Sequence, residues 1–180
     1  METIETIETT IETVGSTAPP YRVHPKHGIC LDAGCGTGLK RPAAGFSVYC
    51  DVIPVRGGVL YPTPYFNAPL EDMSCFADKQ FDWVRCNHAI EHTINPAKAC
   101  DELMRIGKAG IISFPGTLAE MCYGRRDHTH YVFVDRGRLV FVPKFHGSLG
   151  IPRSVAGGVL NVDFVWHDKF EYLLLEIPGE

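Results

Sequence analysis

The stretch CLDAGCGTGLK, Cys30 to Lys40, constrains this chain more than any other. Two residues suited to a buried strand run into an acid, Asp32, and then into glycines at alternate positions, Gly34, Gly36 and Gly38. Glycines at a strand-to-helix turn let the backbone approach a ligand with no Cβ in the way, which points to a nucleotide. The dinucleotide fingerprint G-x-G-x-x-G fails, because Leu39 stands three residues after Gly36. A phosphate-cradling P-loop fails too, because no Gly-Lys-Ser/Thr follows. The acid two residues before the first glycine is poor company for a pyrophosphate and good company for an ammonium group. A nucleoside that carries an amino acid, S-adenosylmethionine, meets both demands.

Asp51 adds to this. It ends the apolar run FSVYCD, where a carboxylate can accept hydrogen bonds from both ribose hydroxyls, as acids at that point do in doubly wound folds. Around these two points, apolar runs alternate with breakers. GICLDAG, FSVYCDVIP, FDWVRCNHAI and AGIISFPG read as strands. NPAKACDELMRI reads as a helix, with Pro96 in its first turn and Ala97, Cys100, Leu103 and Met104 as its apolar stripe. LNVDFVWHDKFEYLLLEIP reads as two strands joined by a turn at His167-Asp168-Lys169. The basic, aromatic stretch RRDHTHYVFVDRGRLVFVPK is assigned to loops and a helix at the mouth of the site. The pattern predicts an α/β, Rossmann-like domain: a mostly parallel sheet with an antiparallel C-terminal hairpin and helices on both faces.

The ordered set LDAGCGTG, YCDVIP, APLEDM, FDWVRCNHAIEH and DELMRIGKAGIISFPG resembles class I S-adenosylmethionine-dependent methyltransferases. The closest likeness is to the small-molecule type related to quinone-biosynthesis enzymes. The resemblance runs from about Cys30 to Gly116. It implies that Asp32 and the backbone of Gly34, Gly36 and Gly38 hold the methionine end of the cofactor, and that Asp51 holds the ribose. It further implies that Leu70, Glu71, Asp72 and Met73 line the adenine, with Asp72 reaching its exocyclic amine. Asn87 and His88 would sit beneath the methionine moiety and face the acceptor. Two departures stand out. Few residues separate Gly38 from Asp51, and they include Pro42 and Gly45, so the first helix is expected to be very short or missing. Ala109 replaces a glycine of the family pattern.

The expected reaction is in-line attack of an acceptor O, N or C on the sulfonium methyl. His88 is the first candidate for the proton acceptor and His128 the second, since histidine titrates near neutral pH. His88 and His92 are four apart and would share a helix face. The same H--EH pattern occurs in this methyltransferase type without a metal, so no metal is expected, and Glu91 and His92 are read as orienting the helix.

Composition bounds the partners. A formal net charge of -4 is unlike the basic domains that grip nucleic acid, and no Asn/Asp-Pro-Pro-Tyr/Phe follows the third strand. A small metabolite, sugar or lipid-like acceptor is therefore expected, and no nucleic acid. The seven cysteines form no C-x-x-C, and Cys30, Cys50, Cys86 and Cys100 are read as buried, reduced thiols. No apolar run approaches the roughly 20 residues of a membrane span, and the acidic, Thr-rich start lacks the basic region of a secretory signal. These features read as a cytoplasmic chain, with residues 1–20 a disordered, low-complexity tail and 21–180 a single methyltransferase-like domain. A thinly covered sheet face is compatible with a homodimer or a partner subunit. The rival reading is a non-catalytic module with a methyltransferase fold, acting as a partner or structural subunit.

Overall fold

The computed structural model describes residues 28–36, 46–53, 64–123, 125–144 and 161–175. The low-complexity start, Gly38 and the short first helix expected before Asp51 lie outside them. Nine strands and two α-helices are described: β1 Cys30–Ala33, β2 Val48–Asp51, β3 Tyr65–Asn67, β4 Trp83–Asn87, α1 Pro96–Ile106, β5 Ala109–Pro115, α2 Thr117–Tyr123, β6 His130–Asp135, β7 Arg138–Pro143, β8 Asn161–His167 and β9 Tyr172–Leu174. A 3-10 turn, Ile90–His92, follows β4.

The larger sheet has the order β3-β2-β1-β4-β5-β8. Its first five strands are parallel, and β8 closes the far edge antiparallel to β5. This is the Rossmann-like arrangement expected, with the direction of winding reversing between β1 and β4. Alternation along each strand sends Leu31, Ala33, Cys50, Val84, Cys86, Ile112 and Phe164 to one face, where they join a single buried cluster with α1. Asp32, Tyr49, Asp51, Arg85 and Asn87 stand on the opposite face. Cys30, Cys50, Cys86 and Cys100 are buried and unpaired, as expected of inert thiols.

α1 begins where the Asn95 side chain caps the Lys98 N–H and Pro96 occupies the first turn. Its buried stripe is Ala99, Cys100, Leu103 and Ile106. Ala97 and Met104 sit at the margin, so the stripe is rotated by part of a turn from the expected one. Full burial of Leu103 and Ile106 is worth about 1.5–3 kcal/mol each. Arg105 locks the helix to the preceding loop, donating to Glu102 and to the carbonyls of Met73 and Phe76.

Two expectations need correction. The basic, aromatic stretch is not loops and a helix. It is the antiparallel hairpin β6–β7, turned at Arg136 (φ 49°) and Gly137 (φ 80°). A two-residue turn with both φ positive matches the twist of the flanking strands. The C-terminal strands are also not each other's partners. Asp168 does make the expected tight turn, with φ 57° and a bridge between His167 and Lys169. Its arms then diverge: β8 joins the large sheet, while β9 runs parallel to β7 in a three-stranded sheet β6-β7-β9. Val132, Leu139 and Phe141 carry this small sheet into the common core. No helix among the described residues is long and apolar enough to cross a membrane.

Candidate active site

In an open parallel sheet, ligands bind beyond the carboxyl ends of the strands where the winding reverses. Here that point lies between β1 and β4, and the glycine loop leaves β1 directly into it. The loop is built from β2. The N–H groups of Gly34 and Cys35 both donate to the Cys50 carbonyl, at 2.9 and 3.1 Å. The Gly36 N–H donates to Asp51 Oδ2 at 2.7 Å, and Asp51 Oδ1 accepts from the Ile53 N–H at 3.0 Å. Asp51 is therefore the pin of the loop as well as the acid at its rim. Its oxygens keep further lone pairs for a ligand, since an ionised carboxylate has about four acceptor sites.

The two described glycines serve different ends. Both have φ of +72°. A Cβ on Gly34 would lie 2.3 Å from Ala89 Cβ, so this glycine lets the β1 loop close against the turn after β4. A Cβ on Gly36 would meet no described atom within 4 Å. Cys35 between them is pushed up to about 12, chiefly by burial and then by the Asp32 and Asp51 charges, and is an inert thiol.

Asp32 is buried and held in a fork by Arg85 directly across from it on β4. Nε donates to Oδ1 at 2.9 Å and a terminal nitrogen to Oδ2 at 2.5 Å. The Phe46 ring lies 4.6 Å beneath the guanidinium. Burial raises the Asp32 carboxyl above its ordinary value, and Arg85 only partly offsets that. The acid read as a partner for a ligand ammonium thus already has a cation of its own.

Of the four residues expected around an adenine, Leu70 and Met73 are buried in the core. Glu71 is spent on the Ile94 N–H, and exposed Asp72 accepts from the Ser74 N–H. Asn87 ends β4, and its Oδ1 is shielded from solvent with no described donor in reach. His88 follows with φ 51°, a conformation rare for a non-glycine residue. Its N–H donates to the Ser113 carbonyl at 2.8 Å. His88 and His92 do not share a helix face, because His88 precedes a single 3-10 turn.

The structure gathers the histidines in a way their spacing does not foretell. Glu91 is 1% exposed, and neither carboxylate oxygen has a hydrogen-bond partner among the described residues. His88 Nδ1 lies 3.4 Å and His128 Nε2 3.9 Å from Glu91 Oε1. His128 is itself buried, with Nδ1 2.7 Å from Glu120 Oε2, and Glu120 Oε1 takes the Lys144 ammonium. Burial pushes Glu120 upward. Donation from His128 and Lys144 more than offsets this, so the carboxyl lies below its ordinary value and accepts from both. Sequence reasoning singled out His88 and His128 and passed over Glu120 and Lys144, whose pairing depends on α2 meeting the end of β7.

A family model described as "Methionine biosynthesis protein MetW" matches residues 68–121, a minority of the chain. No curated relative matches it. The YcgJ protein of Bacillus subtilis is similar in structure, with 20% identity and a TM-score of 0.39 over 50% of this chain and 45% of that one. A putative methyltransferase from an antibiotic biosynthesis pathway of Anabaena variabilis gives 21% and 0.39, over 52% and 41%. The chain thus spans less than half the length of either. The 1,6-didemethyltoxoflavin-N1-methyltransferase of Burkholderia thailandensis, solved with bound 1,6-didemethyltoxoflavin and S-adenosylhomocysteine, gives 16% and 0.41, over 78% and 72%. The strand order and the glycine loop give this chain a Rossmann-like fold.

Proposed function

We propose that the chain binds S-adenosylmethionine at the carboxyl ends of β1, β2 and β4 and transfers its methyl group to a small-molecule acceptor. The observation that carries this reading is the union of three features at the winding reversal: the loop of Gly34 and Gly36, its pin Asp51, and the orphaned Oδ1 of Asn87 across from them. Gly36, with no described atom within 4 Å of where a Cβ would stand, is proposed to admit the ligand. Asp51 accepts from the ribose hydroxyls. Asp32 has a further lone pair on each oxygen for the ammonium, and Asn87 gains a partner for Oδ1 when the methionine end arrives. Leu70 and Met73 are proposed to back the adenine from the core, and exposed Asp72 is proposed to reach its amine. Gly38, the third glycine expected at the methionine end, lies outside the described residues.

A sulfonium methyl is already activated, so the protein chiefly aligns donor and acceptor. The acceptor lone pair forms the new bond to the methyl carbon, the carbon–sulfur bond breaks, and S-adenosylhomocysteine leaves. A hydroxyl acceptor must also lose its proton, and His88, about one-third exposed beside Asn87, is the group proposed to take it. His128, the second candidate, has one nitrogen occupied by Glu120 and the other facing Glu91, and its proposed part is to hold Glu91 near His88.

Incubating the purified chain with S-adenosylmethionine and small hydroxylated or aminated acceptors tests the reaction. S-adenosylhomocysteine is expected to accumulate only with an acceptor present. His88→Ala is expected to slow a hydroxyl substrate by about 10²-fold or more with cofactor affinity unchanged. Cofactor binding with no turnover on any acceptor would instead favour the non-catalytic partner subunit.

A further inference from the structure

The buried Glu91 carboxylate requires an explanation the fold does not supply. A buried carboxylate without a donor is costly, so such groups are paired, protonated, watered or bound to a cation. One ligand atom from each of Glu91, His92 and His128 lies within 4.8 Å of the others. The geometry points to a divalent transition-metal site formed by these three side chains, with zinc as the ion the donor set suits best.

Three observations carry this. First, the 3.9 Å between Glu91 Oε1 and His128 Nε2 is too long for a hydrogen bond. Two donors on one tetrahedral ion at about 2.0–2.2 Å stand roughly 3.3–3.6 Å apart, so an ion between these atoms draws them together by a few tenths of an ångström. Second, both histidines are set in the tautomer a metal needs. His128 Nδ1 donates to the ionised Glu120 carboxylate at 2.7 Å, and His92 Nδ1 donates to the Asp127 carbonyl at 3.0 Å. Each leaves Nε2 as the nitrogen with the lone pair. A metal-bound histidine nearly always donates its other N–H to a carboxylate or carbonyl in this way. Third, the ligands come from two segments fastened independently of any ion. The Thr129 N–H donates to the Glu91 carbonyl at 2.8 Å, and its hydroxyl to the Thr93 carbonyl at 2.7 Å. The two histidine rings meet edge to face, 4.5 Å apart.

Two imidazoles and a carboxylate suit zinc and its neighbours rather than calcium or magnesium. Three protein ligands leave a fourth position, the pattern of sites that bind a water or a substrate oxygen. Glu91 and His128 are buried and His92 is one-third exposed, so the open position faces the His92 side. The proposal departs from the expectation that the H--EH pattern works without metal. The proposal stands on these residues alone, and metal titration reads it with no methyl donor present.

The test is titration of the chelator-stripped full chain with Co2+ and with Zn2+, followed by the visible absorption of bound Co2+ and by calorimetry. One equivalent is expected, with the strong absorption of a four- or five-coordinate ion. Glu91→Gln and His92→Gln are each expected to weaken binding at least tenfold. Glu120→Gln, which touches the metal only through His128, is expected to weaken it by about 10–100-fold. His92 is on the surface turn, so His92→Gln keeps the test alive if a buried substitution unfolds the chain, and thermal melts without metal identify that case. No saturable binding by the unaltered chain, or binding that survives both Glu91→Gln and His92→Gln, would overturn the proposal.

Discussion

Arg85→Met is expected to destabilise the folded chain by about 3–5 kcal/mol, the range for removing one partner of a buried ion pair. The Asp32 carboxylate is 3% exposed and receives both its guanidinium bonds from Arg85. Without Arg85, Asp32 either keeps a charge in the protein interior or takes up a proton. The methyl-rich stem of Met preserves most of the packing on Phe46, so the loss isolates the charge. The double variant Asp32→Leu/Arg85→Met recovers most of the stability, because replacing both members of a buried pair by apolar residues of similar volume is nearly neutral. Denaturant unfolding of the two variants measures this. A loss below about 1 kcal/mol for Arg85→Met would place the pair among the weak surface bridges and contradict the account of Asp32.

Gly34→Ala is the second large effect. The new methyl would lie 2.3 Å from Ala89 Cβ, and the residue would have to hold φ at +72°. The left-handed backbone costs about 1–2 kcal/mol for a residue with a Cβ, and overpacking about 1–3 kcal/mol more. A total loss of about 2–5 kcal/mol follows, with displacement of the loop from Cys50 and Asp51. Ala89→Gly in the same chain removes the clash and leaves the backbone cost. The double variant is therefore expected to regain the overpacking share, about 1–3 kcal/mol, of the lost stability. Gly36→Ala has the same φ and no described atom to strike, so its stability cost is the backbone share alone. If Gly34→Ala and Gly36→Ala were equally destabilising, the contact with Ala89 would not be what fixes the loop.

Much of the sheet was legible because its signals are local. β1, β2, β4 and β5 are apolar runs that stop at an acid or a breaker, and α1 carries its own cap and stripe. Asp51 was legible as the acid that ends the apolar run of β2. What failed was pairing over distance. The β6–β7 hairpin does carry a local mark, Arg136-Gly137 between VFVD and RLVFVP, which its charges obscured. β8 and β9 flank a real turn, yet each finds a better partner elsewhere, β5 and β7, and no property of the turn announces that. Arg85 has meaning only once β4 is known to lie beside β1 in the register that sets it opposite Asp32. The cluster of Glu91, His92 and His128 joins residues more than 30 positions apart through Thr129, a residue with no motif to mark it.

Calorimetric titration with S-adenosylhomocysteine, of the full chain beside its Asp51→Ala variant, bears on the central claim most directly. Asp51 both pins Gly36 and faces the site, so its removal takes away a ribose contact and the loop's anchor together. The account predicts one-site binding by the unaltered chain and at least a tenfold loss in the variant, with the far-ultraviolet spectrum unchanged. Binding of equal strength in both would contradict the assignment of this loop as the cofactor site, and no binding by the unaltered, folded chain would contradict the cofactor itself.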